Sequence, residues 1–391
     1  MKVICDRGAL LEAVNLVGAT ASARSPKPQL TCIKFGAKKA GKGGAGFVTL
    51  SATDGEVSIR MSTARVEVKE EGEILIPADK LRAIVSAQDN EPTLTIEAEG
   101  DVCTIRGADA KFKVYGFGAG EFPPISEFPS DGAGTLSVSA EALGQLIGRT
   151  IFSTSKETSR YAINGVLLKR TGKKVEMVAT DGRRLALARA TLEAAPAGPD
   201  SVSCIIPTKA LHIVQRLLPQ GDSASVVRVA LTDNQVIFGF PDAESGPGTL
   251  LASNLVEGTF PPYEDVIPKD QDKKATFDVV VLGSAVKRAA LLTNEESRGI
   301  RMAFTGTAES KSHGLKISSR AAEMGEAEVE CEMEGYEGSE IEIAFNPLFI
   351  TDALKVMEGS QVILELKAPN KPGLIRSGAD FVYVVMPVNL Q

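Results

Sequence analysis

The tetrapeptide Ala52-Thr53-Asp54-Gly55 decides the fold, because it returns 127 residues later as Ala179-Thr180-Asp181-Gly182. Each copy follows an alternating apolar stretch and precedes another one. Alternating apolar residues on both sides of an Asp-Gly pair are typical of a β-hairpin. The repeat therefore predicts two copies of one hairpin, each inside a copy of a larger unit.

A proline-rich segment repeats at a similar spacing. Phe122-Pro123-Pro124 returns as Phe260-Pro261-Pro262, an offset of 138 residues. Proline stiffens a chain and suits connectors between domains. These two segments therefore mark the ends of the first and second units.

A third unit follows, in which Phe345-Asn346-Pro347 places an N-cap asparagine and a first-turn proline before a helix. Apolar periodicity predicts two helices in each unit, over residues 6–17, 78–88, 139–151, 208–218, 282–292 and 347–357. The period is too long for a solenoid, whose repeats span roughly 20 to 50 residues. We therefore predict an α+β fold of three tandem similar domains, each with two helices packed on β-sheets of short strands. The predicted domains are 1–130, 131–270 and 271–391.

The composition fits a soluble protein with more than one core. The chain has 391 residues, of which 43% are hydrophobic and 24% charged. Charges near the first residue and the lack of a long apolar run predict neither a signal peptide nor a membrane span, so we expect a cytoplasmic protein. The five cysteines lie far apart without a CxxC spacing, which favours reduced and mostly buried thiols.

No motif assembles a catalytic or metal site. The string Gly41–Gly46 satisfies G-x-G-x-x-G, but a strand pattern follows it where a dinucleotide site needs a helix, so a hairpin loop is favoured. The only two histidines, His212 and His313, fall in different repeats. Asp54 and Asp181 could suggest carboxylate catalysis, although aspartate before glycine is what a tight turn requires. We therefore expect no cofactor and no metal, and a binding role; an enzyme with an unrecognised site is a remaining alternative.

The charge distribution indicates a partner with phosphates. The net charge is −7, yet the six predicted helices hold nine basic residues against five acidic ones. A basic helical layer inside an acidic β-rich shell fits a protein that contacts phosphates along one surface. The alternative is that these charges belong to ordinary solvated helix faces.

The chain resembles one family along its whole length, the β subunit of bacterial DNA polymerase III, or β sliding clamp. The segments that carry the resemblance are Arg160–Gly165, Ala179–Ala186, Phe260–Tyr263, Asn294–Gly299 and Tyr383–Val388. The resemblance implies a head-to-tail homodimer that forms a ring around double-stranded DNA, with helices lining the hole. It also implies a processivity factor without catalytic activity that docks DNA polymerase and clamp-loader subunits through short peptide motifs. The alternative function is a multidomain protein-binding scaffold that does not encircle DNA.

The resemblance further implies three sets of site residues. The partner-peptide pocket would draw on Ile163, Thr180, Gly182, Arg184, Leu185, Pro261, Val266, Val384, Val385, Met386, Pro387 and Val388. The residues facing DNA would be Arg24, Lys156, Arg160, Tyr161, Lys209, Arg216, Lys287 and Arg288. The dimer interface would join Phe112 and Val114 of one protomer to Leu291 and Leu292 of its partner. The chain departs from a well-known relative at Ala162, Asp265 and Asn389, near the rim of the pocket.

Overall fold

The computed structural model describes residues 1–40, 46–129, 135–157, 160–194, 199–219, 225–240, 248–293, 299–306, 314–321 and 324–389. Within these ranges it has six α-helices: α1 (Arg7–Gly18), α2 (Ala78–Ala87), α3 (Ala140–Gly148), α4 (Thr208–Leu217), α5 (Val279–Ala289) and α6 (Pro347–Lys355). The strands of the first third are β1 (Lys2–Asp6), β2 (Cys32–Lys39), β3 (Gly46–Thr53), β4 (Val57–Thr63), β5 (Val66–Glu70), β6 (Gly72–Pro77), β7 (Thr93–Glu99), β8 (Val102–Arg106) and β9 (Lys111–Tyr115). Those of the middle third are β10 (Thr135–Ser139), β11 (Gly165–Thr171), β12 (Lys174–Thr180), β13 (Arg184–Thr191), β14 (Ser201–Pro207), β15 (Val226–Leu231), β16 (Gln235–Phe240) and β17 (Thr249–Asn254). The last third has β18 (Lys273–Asp278), β19 (Ile300–Thr305), β20 (Gly314–Ala321), β21 (Gly325–Cys331), β22 (Gly335–Glu337), β23 (Ile341–Phe345), β24 (Gln361–Leu366), β25 (Gly373–Ser377) and β26 (Phe381–Val385).

The chain divides into two compact units, and the middle third contributes strands to both. The amino-terminal unit comprises Met1–Gly144, Leu192–Asp200 and Lys209–Leu255. The carboxy-terminal unit comprises Gln145–Thr191, Ser201–Thr208 and Val256–Gln391. Each unit has its own pair of sheets and its own buried core.

The amino-terminal unit holds a five-stranded sheet in the order β5-β1-β7-β8-β9 and an eight-stranded sheet in the order β10-β15-β16-β17-β4-β3-β2-β6. Antiparallel pairing of β17 with β4 makes the larger sheet continuous from the middle third to the first third. Helix α1 packs against α2 and against β3 and β4. Its apolar residues Leu10, Val14 and Val17, spaced for one helix face, are buried there.

The carboxy-terminal unit repeats this plan. A nine-stranded sheet has the order β14-β11-β12-β13-β26-β25-β24-β18-β22, and a four-stranded sheet has the order β21-β20-β19-β23. Antiparallel pairing of β13 with β26 joins the middle third to the last third. Helix α5 packs against α6 and against β20 and β21.

The two Asp-Gly turns have the same hydrogen bonds, so the sequence repeat is a structural repeat. The Asp54 carboxylate accepts from the amides of Glu56 and Val57, and the Thr53 hydroxyl accepts from the Gly55 amide. In the second copy the Asp181 carboxylate and the Thr180 hydroxyl accept from the matching amides, two and three residues along. Both hairpins are antiparallel as predicted. Within the described residues the two aspartates are therefore turn residues.

The predicted helices are found at the expected places, with shifted ends. Helix α5 begins three residues before its predicted start, because the Asp278 carboxylate accepts from the amides of Val280 and Val281 and caps the helix there. Residues 290–292 continue as a 3-10 turn. Apolar periodicity alone missed this cap because the first turn of α5 is a run of valines.

Several residues singled out in the sequence have the following places in the structure. The five cysteines are free thiols, four of them buried, and burial raises the pKa of Cys5, Cys103 and Cys204 to about 12. His212 lies exposed on α4, while His313 and residues 41–45 of the glycine-rich string lie outside the described ranges. Within those ranges no helix is long and apolar enough to cross a membrane. The same residues contain no group of acidic, histidine or cysteine side chains able to hold a metal ion.

We predict that Gly55→Ala destabilises the amino-terminal unit through backbone strain. Gly55 has a φ of 98°, and a methyl group there would meet no atom within 4 Å, so the cost is conformational. Such strain costs about 1–3 kcal/mol. Gly120→Ala is the matched control, because its methyl group would also meet nothing within 4 Å while its φ is ordinary. Urea unfolding of both variants should show a loss for Gly55→Ala alone; equal midpoints would contradict the assignment.

Candidate functional site

The last strand of the chain forms a buried apolar cluster with the repeated hairpin. Leu185 and Leu187 of β13 lie opposite Val384 and Val382 of β26. Side chains two residues apart share one face of a strand. These four residues belong to one buried cluster, whose other members are Ala162, Leu167, Val178, Ile205, Tyr263 and Leu374.

A short 3-10 turn, Tyr263–Asp265, covers part of this cluster. The Tyr263 ring is buried in the cluster, and its hydroxyl lies 3.3 Å from a carboxylate oxygen of Glu176. Burial, followed by the charge of Glu176, raises the pKa of Tyr263 to about 12, so this hydroxyl donates. The neighbouring Glu264 carboxylate pairs with the Lys169 ammonium at 2.9 Å. The proline-rich connector is therefore fixed to β11 and β12 by both apolar and ionic contacts.

The guanidinium of Arg184 connects four parts of the carboxy-terminal unit. It donates to the Asp181 carboxylate at 3.0 Å, to the Asp352 carboxylate at 2.9 Å and to the Phe152 carbonyl at 2.8 Å. Its carbon lies 4.5 Å from the centre of the Phe349 ring, a cation-π distance. The Arg184 side chain is 9% exposed. Burial works to lower its pKa, but Tyr383 and Asp352 outweigh burial and hold the pKa of Arg184 above its usual value.

Beside this arginine lies an open cavity of about 950 Å³. Its walls come from the loop after α3, the second Asp-Gly turn, the start of α6 and the segment after β26. The lining residues are Thr154, Ser155, Lys156, Glu157, Asp181, Arg183, Arg184, Asn346, Leu348, Phe349, Met386, Pro387, Val388 and Asn389. Leu348 and Met386 are exposed large apolar side chains, 51% and 38% accessible. A cavity with apolar side chains and a few convergent polar groups suits a short extended peptide.

The structure brings much of the expected pocket together. Arg184, Met386, Pro387 and Val388 line the cavity, and Leu185 and Val384 belong to the apolar cluster. Pro261 is half-buried and Val266 is 47% exposed, on a connector whose residues Phe260 and Ile267 pack against that cluster. Half-buried Ile163 accepts from the Ser155 amide through its carbonyl.

The other expected pocket residues have structural roles. The Thr180 hydroxyl and the φ of 84° at Gly182 shape the hairpin turn. Val385 is fully buried and, by strand alternation, faces away from Val384. Phe349 and Asp352 were not predicted as site residues. The Asn346-Pro347 cap sets the start of α6, and it thereby places both residues on the first two turns of that helix.

The basic residues expected to face DNA are mostly exposed, and each unit holds part of the set. In the amino-terminal unit Arg24 and Arg216 are exposed, while Lys209 forms an ion pair with Asp54. In the carboxy-terminal unit Lys287 and Arg288 are exposed in the last turn of α5.

Two more of the cations expected to face DNA, Lys156 and Arg160, lie in the loop after α3. The exposed Arg160 guanidinium lies 4.8 Å from the centre of the Tyr161 ring. Lys156 lines the cavity described above. Lys156 is therefore both a residue expected to face DNA and part of the cavity wall.

The residues expected at the dimer interface lie at sheet edges. Strand β9, with half-buried Phe112 and buried Val114, forms one edge of the five-stranded sheet. Strand β21 forms one edge of the four-stranded sheet, and the 3-10 turn with Leu291 and Leu292 packs on it. Leu291 is 77% exposed.

The fold and the site define a protein of repeated helix-on-sheet domains, with an open cavity beside a buried apolar cluster and exposed cations on its helices. Three family models match it in tandem: the N-terminal domain of the DNA polymerase III beta subunit over residues 1–126, its central domain over 137–262 and its C-terminal domain over 264–389. The chain therefore belongs to the family of DNA polymerase III β subunits, the β sliding clamps. These matches confirm the predicted family and the three tandem α+β domains.

Individual relatives agree along most or all of the chain. The beta sliding clamp of Pseudomonas putida is 32% identical over 392 residues, which cover 100% of each chain. That of Escherichia coli is 30% identical over 349 residues, 88% of this chain and 89% of its own. A crystal structure of a Pseudomonas aeruginosa sliding clamp bound to griselimycin superposes with a TM-score of 0.87 at 31% identity, covering 100% of both chains. The sliding clamp of Bacillus subtilis gives a TM-score of 0.87 at 27% identity, again over 100% of both.

We predict that Arg184→Met destabilises the carboxy-terminal unit strongly. The substitution leaves the carboxylates of Asp181 and Asp352 without their cation, and breaking a buried ion pair on one side costs about 3–5 kcal/mol. Arg189→Met on the same strand is the control, since its pair with Glu176 is more exposed and is worth about 1 kcal/mol or less. Denaturant unfolding compares the two variants. Equal losses of unfolding free energy would show that Arg184 does not hold the pocket together.

Proposed function

We propose that this chain is a DNA sliding clamp that encircles duplex DNA and tethers the replicative polymerase and other replication and repair proteins to it. The observation that carries the proposal is the tandem match of all three β-subunit domains, in order, across residues 1–389. Relatives that are sliding clamps over their full length favour this function over a scaffold that does not encircle DNA. We further propose domain boundaries at 1–130, 131–270 and 271–391, a cytoplasmic location and no catalytic activity of its own, because tethering requires no bond to be made or broken.

Contact with DNA would be weak, independent of sequence and sensitive to salt. Arg24, Arg160, Arg216, Lys287 and Arg288 are exposed, and cations that meet phosphates carry no base information. Tyr161 accompanies Arg160, and Lys209 would add less because Asp54 already pairs with it. A clamp gains from such weak contact, because its hold on DNA is topological and it must still slide.

The ring would close by pairing the two edge strands of different protomers. On β9 the exposed residues include Lys111 and Lys113, and on β21 they are Gly325, Glu326, Glu328 and Glu330. Exposed sheet edges readily pair with another chain, and opposite charges across strands favour that pairing. Phe112 and Val114 would then meet the partner surface that carries Leu291 and Leu292. The two surfaces that meet in each contact are unlike. The same head-to-tail contact made twice therefore closes a ring of two protomers.

The groove beside β26 would bind the partners. The exposed apolar side chains of Leu348, Met386 and Val266 can anchor large side chains of a short extended segment, and the polar rim of the cavity can orient the backbone. DNA polymerase and clamp-loader subunits are the partners that we assign to it.

The form of the DNA tests the proposed function directly. After loading by the clamp loader, the protein should stay on nicked circular DNA through gel filtration and should be lost when a restriction enzyme linearises the circle. Linear DNA with both ends blocked by bound protein is the control and should retain it. Loss from circles and linear DNA at the same rate would favour the scaffold without encirclement.

A further inference from the structure

The two ends of the peptide groove carry opposite charge. At one end Lys156 and Arg183 line the cavity and are exposed. At the other, the 3-10 turn beside the apolar cluster ends in Glu264 and Asp265, both exposed. We call these the basic end and the acidic end of the groove.

The strand register sets the distance between the ends. Arg183 belongs to the turn that follows Thr180 at the end of β12. Glu264 pairs with Lys169, and Lys169 lies opposite Glu176, four residues before Thr180. At about 3.3 Å per strand residue, Glu176 and Thr180, the β12 residues next to the two ends, are on the order of 13 Å apart along the strand. That span matches about four residues of an extended peptide.

The charges of the basic end are not cancelled within the groove. Asp181, the nearest carboxylate in the turn, is committed to the guanidinium of Arg184 and to two backbone amides. Among the described residues neither Lys156 nor Arg183 forms a side-chain ion pair, which leaves two cations against the single carboxylate of Glu157.

The acidic end has the opposite balance. Glu264 forms an ion pair with Lys169, and Glu176 forms one with Arg189. Asp265 forms no ion pair among the described residues and presents its carboxylate beside exposed Val266, while Lys269 acts on the neighbouring Glu264.

We propose that the groove selects partner peptides by the order of their charges: an apolar core flanked by acidic residues on the side that meets Lys156 and Arg183 and by a basic residue on the side that meets Asp265. This rests on the proposed peptide-docking function and names the chemistry of the partner. Exposed charges contribute modestly to affinity but suppress wrong partners and fix register. The partner class is therefore a charge-polarised extended segment.

Three synthetic peptides with one apolar core test the proposal by calorimetry. One has neutral flanks, one has two aspartates before the core and two lysines after it, and the third has the same flanks exchanged. One charge order should bind about three- to tenfold more tightly than the other, with the neutral peptide between them. The difference should shrink at high salt, because exposed charges are screened.

Charge-reversal variants assign the effect to the named residues. Asp265→Arg should reduce the preference, and Asp265→Arg combined with Arg183→Glu and Lys156→Glu should invert it. Glu337→Arg is the matched control, since its strand β22 lies five strands from β13 in the same sheet, and it should leave the preference unchanged. Equal affinity for both charge orders, with the neutral peptide still bound, would overturn the proposal and leave the docking site standing. No binding of any peptide would instead overturn the proposed docking function.

Discussion

Pairing of sheet edges is the constraint on which the rest of the structure depends. Backbone amides and carbonyls need partners, and an edge strand leaves a row of them open. In the amino-terminal unit β4 and β17 satisfy each other, and in the carboxy-terminal unit β13 and β26 do the same. Each pairing joins strands from two predicted domains, so a domain boundary in the sequence is not a boundary of the sheet. Strands β9 and β21 are edges of the two smaller sheets and are the edges that we propose for closure with another chain.

The groove follows from the same constraint. Strand β26 pairs with β13 and β25 and ends at Val385, after which Met386 to Val388 continue as an irregular segment. The Met386 amide donates to the Arg183 carbonyl, and the Val388 amide donates to the Ala344 carbonyl. This segment is therefore held at both ends while its side chains line the cavity. In the proposed docking role, these two hydrogen bonds would limit how much of this segment has to be ordered when a peptide binds.

The sequence predicted those features that depend on local patterns. The Asp-Gly turns, the apolar helix faces and the Asn346 cap are each set by residues close together in the chain, and all are found as expected. The network around Arg184 could not be predicted in this way, because its partners Phe152 and Asp352 come from segments 32 and 168 residues away along the chain. Val385, which was expected in the pocket but is fully buried, shows the same limit of local patterns. Alternation along a strand predicts two faces, but only packing decides which face lines a groove.

A charge exchange between two variants tests closure by unlike edges most directly. One variant carries Lys111→Glu and Lys113→Glu on β9; the other carries Glu328→Lys and Glu330→Lys on β21. Each variant alone places like charges across both interfaces, whereas a mixed pair restores opposite charges at both. Sedimentation should therefore show a mass near one protomer for either variant alone and near two for the mixture. Dimers of each variant alone, or a mixture that stays monomeric while both variants are folded, would contradict this account.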